Sequence, residues 1–165
     1  MKNTDHLANT PADLTFKDHT EIIDALYRFG AGQDTGDKAL FESAFAPNAT
    51  LDFTGPAARF GVEMPVLKGR DNIVNTIMHA VSGLATTHTV TNPRVALEGS
   101  GATLFALVEA QHVPKNDHTS NLLLKNIYTV SLVREQDSEQ GKWLVQDMKI
   151  ENVWFQGNPA VLFPA

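Results

Sequence analysis

The chain has no cysteine among its 165 residues. That removes disulfides, thiolate metal centres, iron–sulfur clusters and cysteine nucleophiles together. It is also short of positive charge. Thirteen Lys and Arg stand against 19 Asp and Glu, for a net charge of -6, and the cations are scattered. A nucleic-acid binder needs a basic stripe to displace counterions, so nucleic acid is not an expected partner. No apolar run approaches the roughly 20 residues that cross a bilayer. The opening "MKNTDHLANTPADLTF" lacks the apolar centre of a secretory leader. No membrane partner and a cytoplasmic setting are therefore expected. Short catalytic signatures are missing too: there is no GxSxG, GxGxxG, P-loop, HxH or HExxH. "LEGSGATL" reads as a hairpin turn between strands, and "ENVWFQG" as part of the last strand.

What remains is the composition of an ordinary globular domain, 42% hydrophobic and 19% charged. We expect a flexible polar lead-in over residues 1–15, one domain over 16–157 and a tail over 158–165. Asp18 with Glu21 reads as a helix start. Ile22, Ile23, Leu26, Tyr27 and Phe29 then recur at helical spacing, which predicts a helix over about 18–34. "DKALFESAF" is a second short helix, stopped by Pro47. "NATLDFTG" alternates with period two and reads as a strand. "GPAARFGVEMPVLKG" reads as a loop with a short strand near 65–68, and "GRDNIVNTIMHAVSGL" as a third helix with Ile73, Ile77 and Val81 on one face. Four long strand-like segments follow, at about 86–98, 101–114, 121–135 and 142–156, joined by turn-rich connectors. Helices first and a meander last predict an α+β fold. The form expected is a cone-shaped roll, a strongly curved, mainly antiparallel sheet wrapped over N-terminal helices.

Strand alternation then assigns faces. In "TLFALVEAQHV", Leu104, Ala106, Val108, Ala110 and His112 share one face, and its alanines leave room for a guest beside the histidine. The other face, with Phe105, Leu107, Glu109, Gln111 and Val113, suits a subunit interface, hence an expected homodimer or homotrimer. Asn126 and Tyr128 are the polar members of an otherwise apolar row. Met148, Ile150, Asn152 and Trp154 share a face in the last strand. A mostly apolar hollow with a few convergent polar groups is the usual form of a small-molecule site. Phe53, Met64, Met148 and Trp154 point to a small apolar, cyclic guest.

Tyr27, Gly30 and Asp34 lie on one side of the first helix. Asp34 closes that helix, where the dipole disfavours an anion, so its carboxylate needs another partner. His88, in "TTHTV", is the candidate. Taken singly, each residue has a plain reading: His88 a satisfied core histidine, Asp34 a turn residue, Tyr27 an amphipathic core residue, His112 a strand end. His88, His112 and Asp34 have the composition of a metal set but none of the usual spacings, so no metal is expected.

The segments "EIIDALYRFGAGQDTGDKALFESAFAPNATLDF", "LKGRDNIVNTIMHAV", "TTHTVTNPRVALEGSGATLFALVEAQH" and "IYTVSLVREQ" with "GKWLVQDMKIENVWFQG" together resemble the SnoaL-like proteins of the nuclear transport factor 2 superfamily. They look most like its scytalone dehydratase, bile acid 7α-dehydratase and hexachlorocyclohexane dehydrochlorinase members. The resemblance implies an α+β cone and cofactor-independent elimination on a carbonyl-containing ring compound. It places a catalytic aspartate at Asp34, its histidine at His88, a tyrosine donor at Tyr27 and a second histidine, as leaving-group acid, at His112. Asn126, Tyr128, Phe53, Met148 and Trp154 would line the substrate. Similarity to ketosteroid isomerases would instead make Asp52, in "ATLDF", the base. The same pocket would also serve a polyketide cyclase, a non-catalytic binding module or the small subunit of an oxygenase.

Overall fold

The computed structural model describes residues 14–135 and 141–163. Most of the expected lead-in, the centre of the last hairpin connector and the final two residues lie outside this range. Helix α1 spans Phe16–Thr35. Its cap is Thr15, not Asp18: the Thr15 hydroxyl accepts from the Asp18 backbone N–H at 3.0 Å and donates to the Asp18 carboxylate at 2.8 Å. Asp18 is thus the third-position partner of a capping pair and the helix starts two residues earlier than expected. Its carboxylate also meets Arg134 and the Trp143 indole N–H, tying the helix start to the far strands. The helix ends on Gly36, at φ 69°, a left-handed cap that glycine adopts without penalty.

Helix α2 is Lys38–Glu42 and strand β1 is Phe45–Asp52. Pro47 therefore does not terminate α2. It sits inside β1, in the irregular stretch between Phe45 and Thr50 where pairing with the last strand lapses and no proline N–H is needed. The segment expected as a loop holds a short helix, α3, Thr54–Arg59, started by Asp52, whose Oδ1 accepts from the Thr54 N–H at 3.0 Å and its hydroxyl at 2.6 Å. Strand β2 is Leu67–Lys68 and helix α4 is Arg70–Ala80. Strands β3 (Leu84–Glu98), β4 (Gly101–Pro114), β5 (Leu122–Arg134) and β6 (Trp143–Gly157) follow close to expectation, then a 3-10 turn at Pro159–Val161.

The fold is α+β. One six-stranded sheet runs β2-β1-β6-β5-β4-β3, antiparallel except for the β1–β6 pair, and it does not close. Helix α1 lies in its concavity against β3, β4 and β6. Ile22, Ile23, Leu26 and Phe29 are buried there, each worth about 1.5–3 kcal/mol relative to exposure. The face assigned to β4 is buried as expected, through Leu104, Ala106, Val108, Ala110 and His112. Among the described residues no helix is long and apolar enough to cross a membrane.

Candidate active site

Asp34 and His88 meet where the end of α1 packs against β3. The His88 Nδ1 is 2.7 Å from Asp34 Oδ1, and the His88 backbone N–H donates to Asp34 Oδ2 at 2.7 Å. The Thr86 hydroxyl donates to Oδ1 at 2.9 Å. One residue of β3 thus grips the carboxylate from both its main chain and its ring, and the residue two before it, on the same face, adds a third donor. Burial works against the charge on Asp34. The ring hydrogen bond and charge of His88, its backbone N–H and Thr86 outweigh that, and hold the carboxyl below its usual range. An ionised Asp34 can only accept, so the proton between the two belongs to Nδ1, and in the neutral form of the ring the lone pair falls on Nε2. The His88 side chain is 4% exposed and forms part of a cavity wall. It packs edge-on against Phe29, with ring centroids 6.0 Å apart.

The cavity holds about 230 Å³. Phe29, Leu51, Ile77, Val81 and Leu124 supply much of its apolar body, and Gln33, His88, His112, Asn126 and Tyr128 its polar points. Among the described residues, neither lysine nor arginine lines it. His112 stands diagonal to His88 across β3 and β4, which pair Thr86 with His112 and His88 with Ala110. The two rings are 6.4 Å apart. The Nδ1 of His112 lies 3.3 Å from the Leu122 carbonyl, which can only accept, so Nδ1 carries the hydrogen. Burial first, then the neighbouring His88, pushes the His112 pKa down to about 4. The ring is neutral at pH 7 and offers Nε2 as an acceptor. Tyr128 is fully buried and its hydroxyl is held far above the usual phenol range, mainly by burial, so it stays protonated as a donor. The Asn126 carboxamide neighbours that hydroxyl, yet its Nδ2 is buried with no hydrogen-bond partner.

Not every expected residue arrives here. Tyr27 is 50% exposed and not part of the cavity. It shares a helix face with Asp34, but seven residues are about 10 Å along the axis; the Asp34 end of that face meets β3, and the Tyr27 level is left to solvent. The chain has two tyrosines, so the phenol in the cavity is Tyr128. Trp154 is 46% exposed. The pairing runs Asn126 to Asn152 but Lys125 to Trp154, so Val153 is an extra residue. This bulge reverses the alternation and turns Trp154 outward, where Lys125 sits 5.4 Å over its ring. Met148 is buried opposite Val130 in the main core, away from the cavity. Asp52 is turned to Thr54 at the head of α3 and does not line the cavity. Phe53 does line it.

The expected tail supplies two wall residues, Leu162 and Phe163. Asn158 donates its N–H to the Asn121 carbonyl at 2.7 Å and caps the turn after it. The chain then folds back so that Phe163 stacks on Phe53 at 6.0 Å and meets Phe60 at 5.1 Å. The available signal was "NPAVLF", a cap followed by an apolar triplet. Gln33 was also missed: it is buried, with its Nε2 donating to the Phe29 carbonyl at 3.2 Å. Among the described residues no three His, Asp or Glu side chains gather as a metal site would need.

These features define a helix-filled, curved-sheet fold with a histidine–aspartate pair in an apolar hollow. The chain belongs to the SnoaL-like domain family, whose model matches residues 15–149. It is 32% identical over 161 residues to terrestric acid biosynthesis cluster protein E of Penicillium crustosum, covering 92% of this chain and 94% of that protein. Among solved structures, a candidate aromatic ring hydroxylase from Novosphingobium aromaticivorans superposes with TM-score 0.74 at 18% identity, over 88% of this chain and 96% of the other. A candidate scytalone dehydratase from the same organism superposes with TM-score 0.72 at 13% identity, over 86% and 88%. At these identities the structures establish the shared fold.

Proposed function

We propose that this protein is a cofactor-independent lyase of small-molecule biosynthesis, acting on a neutral cyclic compound that carries a carbonyl group. The observation that carries the reading is the 2.7 Å contact between Asp34 and Nδ1 of His88, which leaves Nε2 as a base inside an apolar cavity. Asp34 holds the tautomer and stabilises the imidazolium as it forms. Nε2 removes a proton from the carbon beside the carbonyl, and the electron pair moves onto the carbonyl oxygen as an enolate. Tyr128 and Asn126 donate to that oxygen. A well-placed donor of this kind is worth about 2.7–4 kcal/mol in the transition state.

The enolate then expels a hydroxyl from the next carbon, forming the C=C bond. His112 is neutral and has no proton to spare, so it accepts from the departing O–H and orients it. The proton taken by His88 completes the water molecule, and the pair returns to its starting state. A neutral substrate is supported by a cavity with no lysine or arginine among its described lining residues. The family, the dehydratase name of one structural neighbour and the biosynthetic-cluster name of the Penicillium relative all support this reading. Isomerisation is the second reading. The same base and donors serve it, and it needs no leaving-group acid, which His112 does not provide.

The test is proton exchange. In deuterated water, α-tetralone should gain deuterium beside its carbonyl faster with the protein than without it, as followed by NMR. His88→Ala should abolish the acceleration while binding survives. Acceleration undiminished in His88→Ala would remove His88 as the base.

A further inference from the structure

The cavity has one polar group whose orientation is dictated from outside it. Asn152, on β6, is paired with Asn126 on β5 and is not a cavity residue. Its Nδ2 lies 2.9 Å from Asn126 Oδ1, 3.0 Å from the Trp154 carbonyl and 3.3 Å from the Lys125 carbonyl. Two of these three oxygens are main-chain carbonyls, which accept and never donate. A carboxamide turned the other way would set its own oxygen against them. The Asn152 amide therefore has one workable orientation, NH₂ toward the three oxygens.

That choice propagates. Because Asn152 donates, Asn126 must present its oxygen, and its Nδ2 is left on the other side. That nitrogen is buried beside the Tyr128 hydroxyl but makes no well-formed hydrogen bond of its own, on a residue 2% exposed in the cavity wall. A lone asparagine can turn over and offer an occupant either polarity. This one is held. The arrangement depends on the Val153 bulge, which places Lys125 opposite Trp154 and brings both carbonyls to Asn152. Arg59 of α3 fastens the bulge, with its Nη1 at 3.3 Å from the Asn152 carbonyl and 3.2 Å from that of Val153. Asn152 leaves its own Oδ1 buried without a partner. A residue placed only for packing would not carry that cost.

We propose that Asn152 is a positioning residue that sets the polarity of the site, holding Asn126 as an obligate donor so that the bound molecule must place an acceptor, a carbonyl or enolate oxygen, against it. This rests on the reading that the cavity takes a carbonyl compound, but it concerns binding and stands apart from the base.

Two probes of nearly equal size separate the polarities. The oxygen of α-tetralone only accepts; the hydroxyl of α-naphthol also donates. The unaltered protein should bind the ketone at least about tenfold more tightly, and the carbonyl stretch of bound α-tetralone should fall in frequency. Asn152→Ala frees Asn126 to turn. The ratio of ketone to naphthol affinity should drop at least about fivefold, through weaker ketone binding, and the carbonyl band should return toward its unbound position. Should that variant fail to fold, Asn152→Thr, which fills more space but cannot reach all three oxygens, gives the same reading. Equal weakening for both probes, an unmoved band, or no binding of the ketone to the unaltered chain would each overturn the proposal. The affinity ratio and the carbonyl band are read without any turnover, whereas the base is read by deuterium exchange, so that failure of the proposed base chemistry and failure of this inference are distinguishable.

Discussion

Gly30 and His88 are in direct contact: a Cβ on Gly30 would lie 2.9 Å from the Cβ of His88. Helix α1 can approach β3 closely enough for Asp34 to reach Nδ1 because position 30 carries no side chain. Gly30→Ala gains roughly 1 kcal/mol of helix propensity and suffers overpacking of about 1–3 kcal/mol. The expected outcome is a small net loss of stability in urea denaturation, with a larger loss of α-tetralone exchange as His88 is pushed away. Unchanged exchange would show that the approach of helix to strand does not govern the pair.

Asp34→Asn should keep the shape and lose the chemistry. An amide can donate as well as accept, so Nδ1 is no longer compelled to carry the hydrogen and Nε2 is no longer reserved as the base. We expect exchange to fall by about a hundredfold or more, in line with the usual worth of a positioned base, with ligand affinity nearly unchanged. Thr86→Val removes one of the donors on Asp34 Oδ1 and should cost less, on the order of tenfold. A Thr86→Val loss as large as that of Asp34→Asn would mean that the hydroxyl itself touches the substrate.

His112 makes stability depend on pH. Its folded pKa of about 4 lies below the unfolded value of about 6.5. Between those values the unfolded chain binds a proton that the folded chain refuses. Stability is therefore full above about pH 6.5 and declines as the pH falls toward 4. The full decline from this group is about 3 kcal/mol. Asp34 acts lower: its depressed pKa adds stability above the ordinary carboxylate range that is lost only as the pH drops through its folded value. Urea denaturation at pH 7.5 and pH 5 should differ clearly for the native sequence, and the difference should shrink in His112→Leu. An undiminished difference would assign the pH dependence to other groups.

The C-terminal turn closes the cavity. Phe163 rests on Phe53 and Phe60, so Phe163→Ala should open the wall. The expected result is α-tetralone affinity weakened by roughly tenfold, about 1.4 kcal/mol, with global stability nearly unaffected because the turn lies at the edge of the fold. Unaltered affinity would mean that Phe163 contributes no contact to the bound ring.

Legibility along the chain differed by residue. The buried row of β4 was readable because alternation has a period of two and the strand is regular across that stretch. The same rule failed at Trp154, since a one-residue bulge is invisible in composition and reverses every side chain beyond it. Asp34 with His88 was readable because a carboxylate at a helix C-terminus requires a partner. Tyr27 misled because sharing a helix face does not mean sharing surroundings. Phe163 was missed because the cap and apolar triplet of "NPAVLF" announce a turn but not the surface it folds back onto.

By itself the sequence determined the succession of helices and strands apart from α3, most of the apolar faces and the chemical types at hand: no thiol, two tyrosines, a carboxylate closing a helix. Those are local matters, set by period, caps and side-chain chemistry. Only the tertiary structure decided which tyrosine is buried, which nitrogen of His88 and of His112 carries hydrogen and which end of Asn126 faces the hollow. Each of these depends on neighbours ten to more than fifty residues away in the chain, and hydrogen-bond polarity is a property of a pair rather than of a residue.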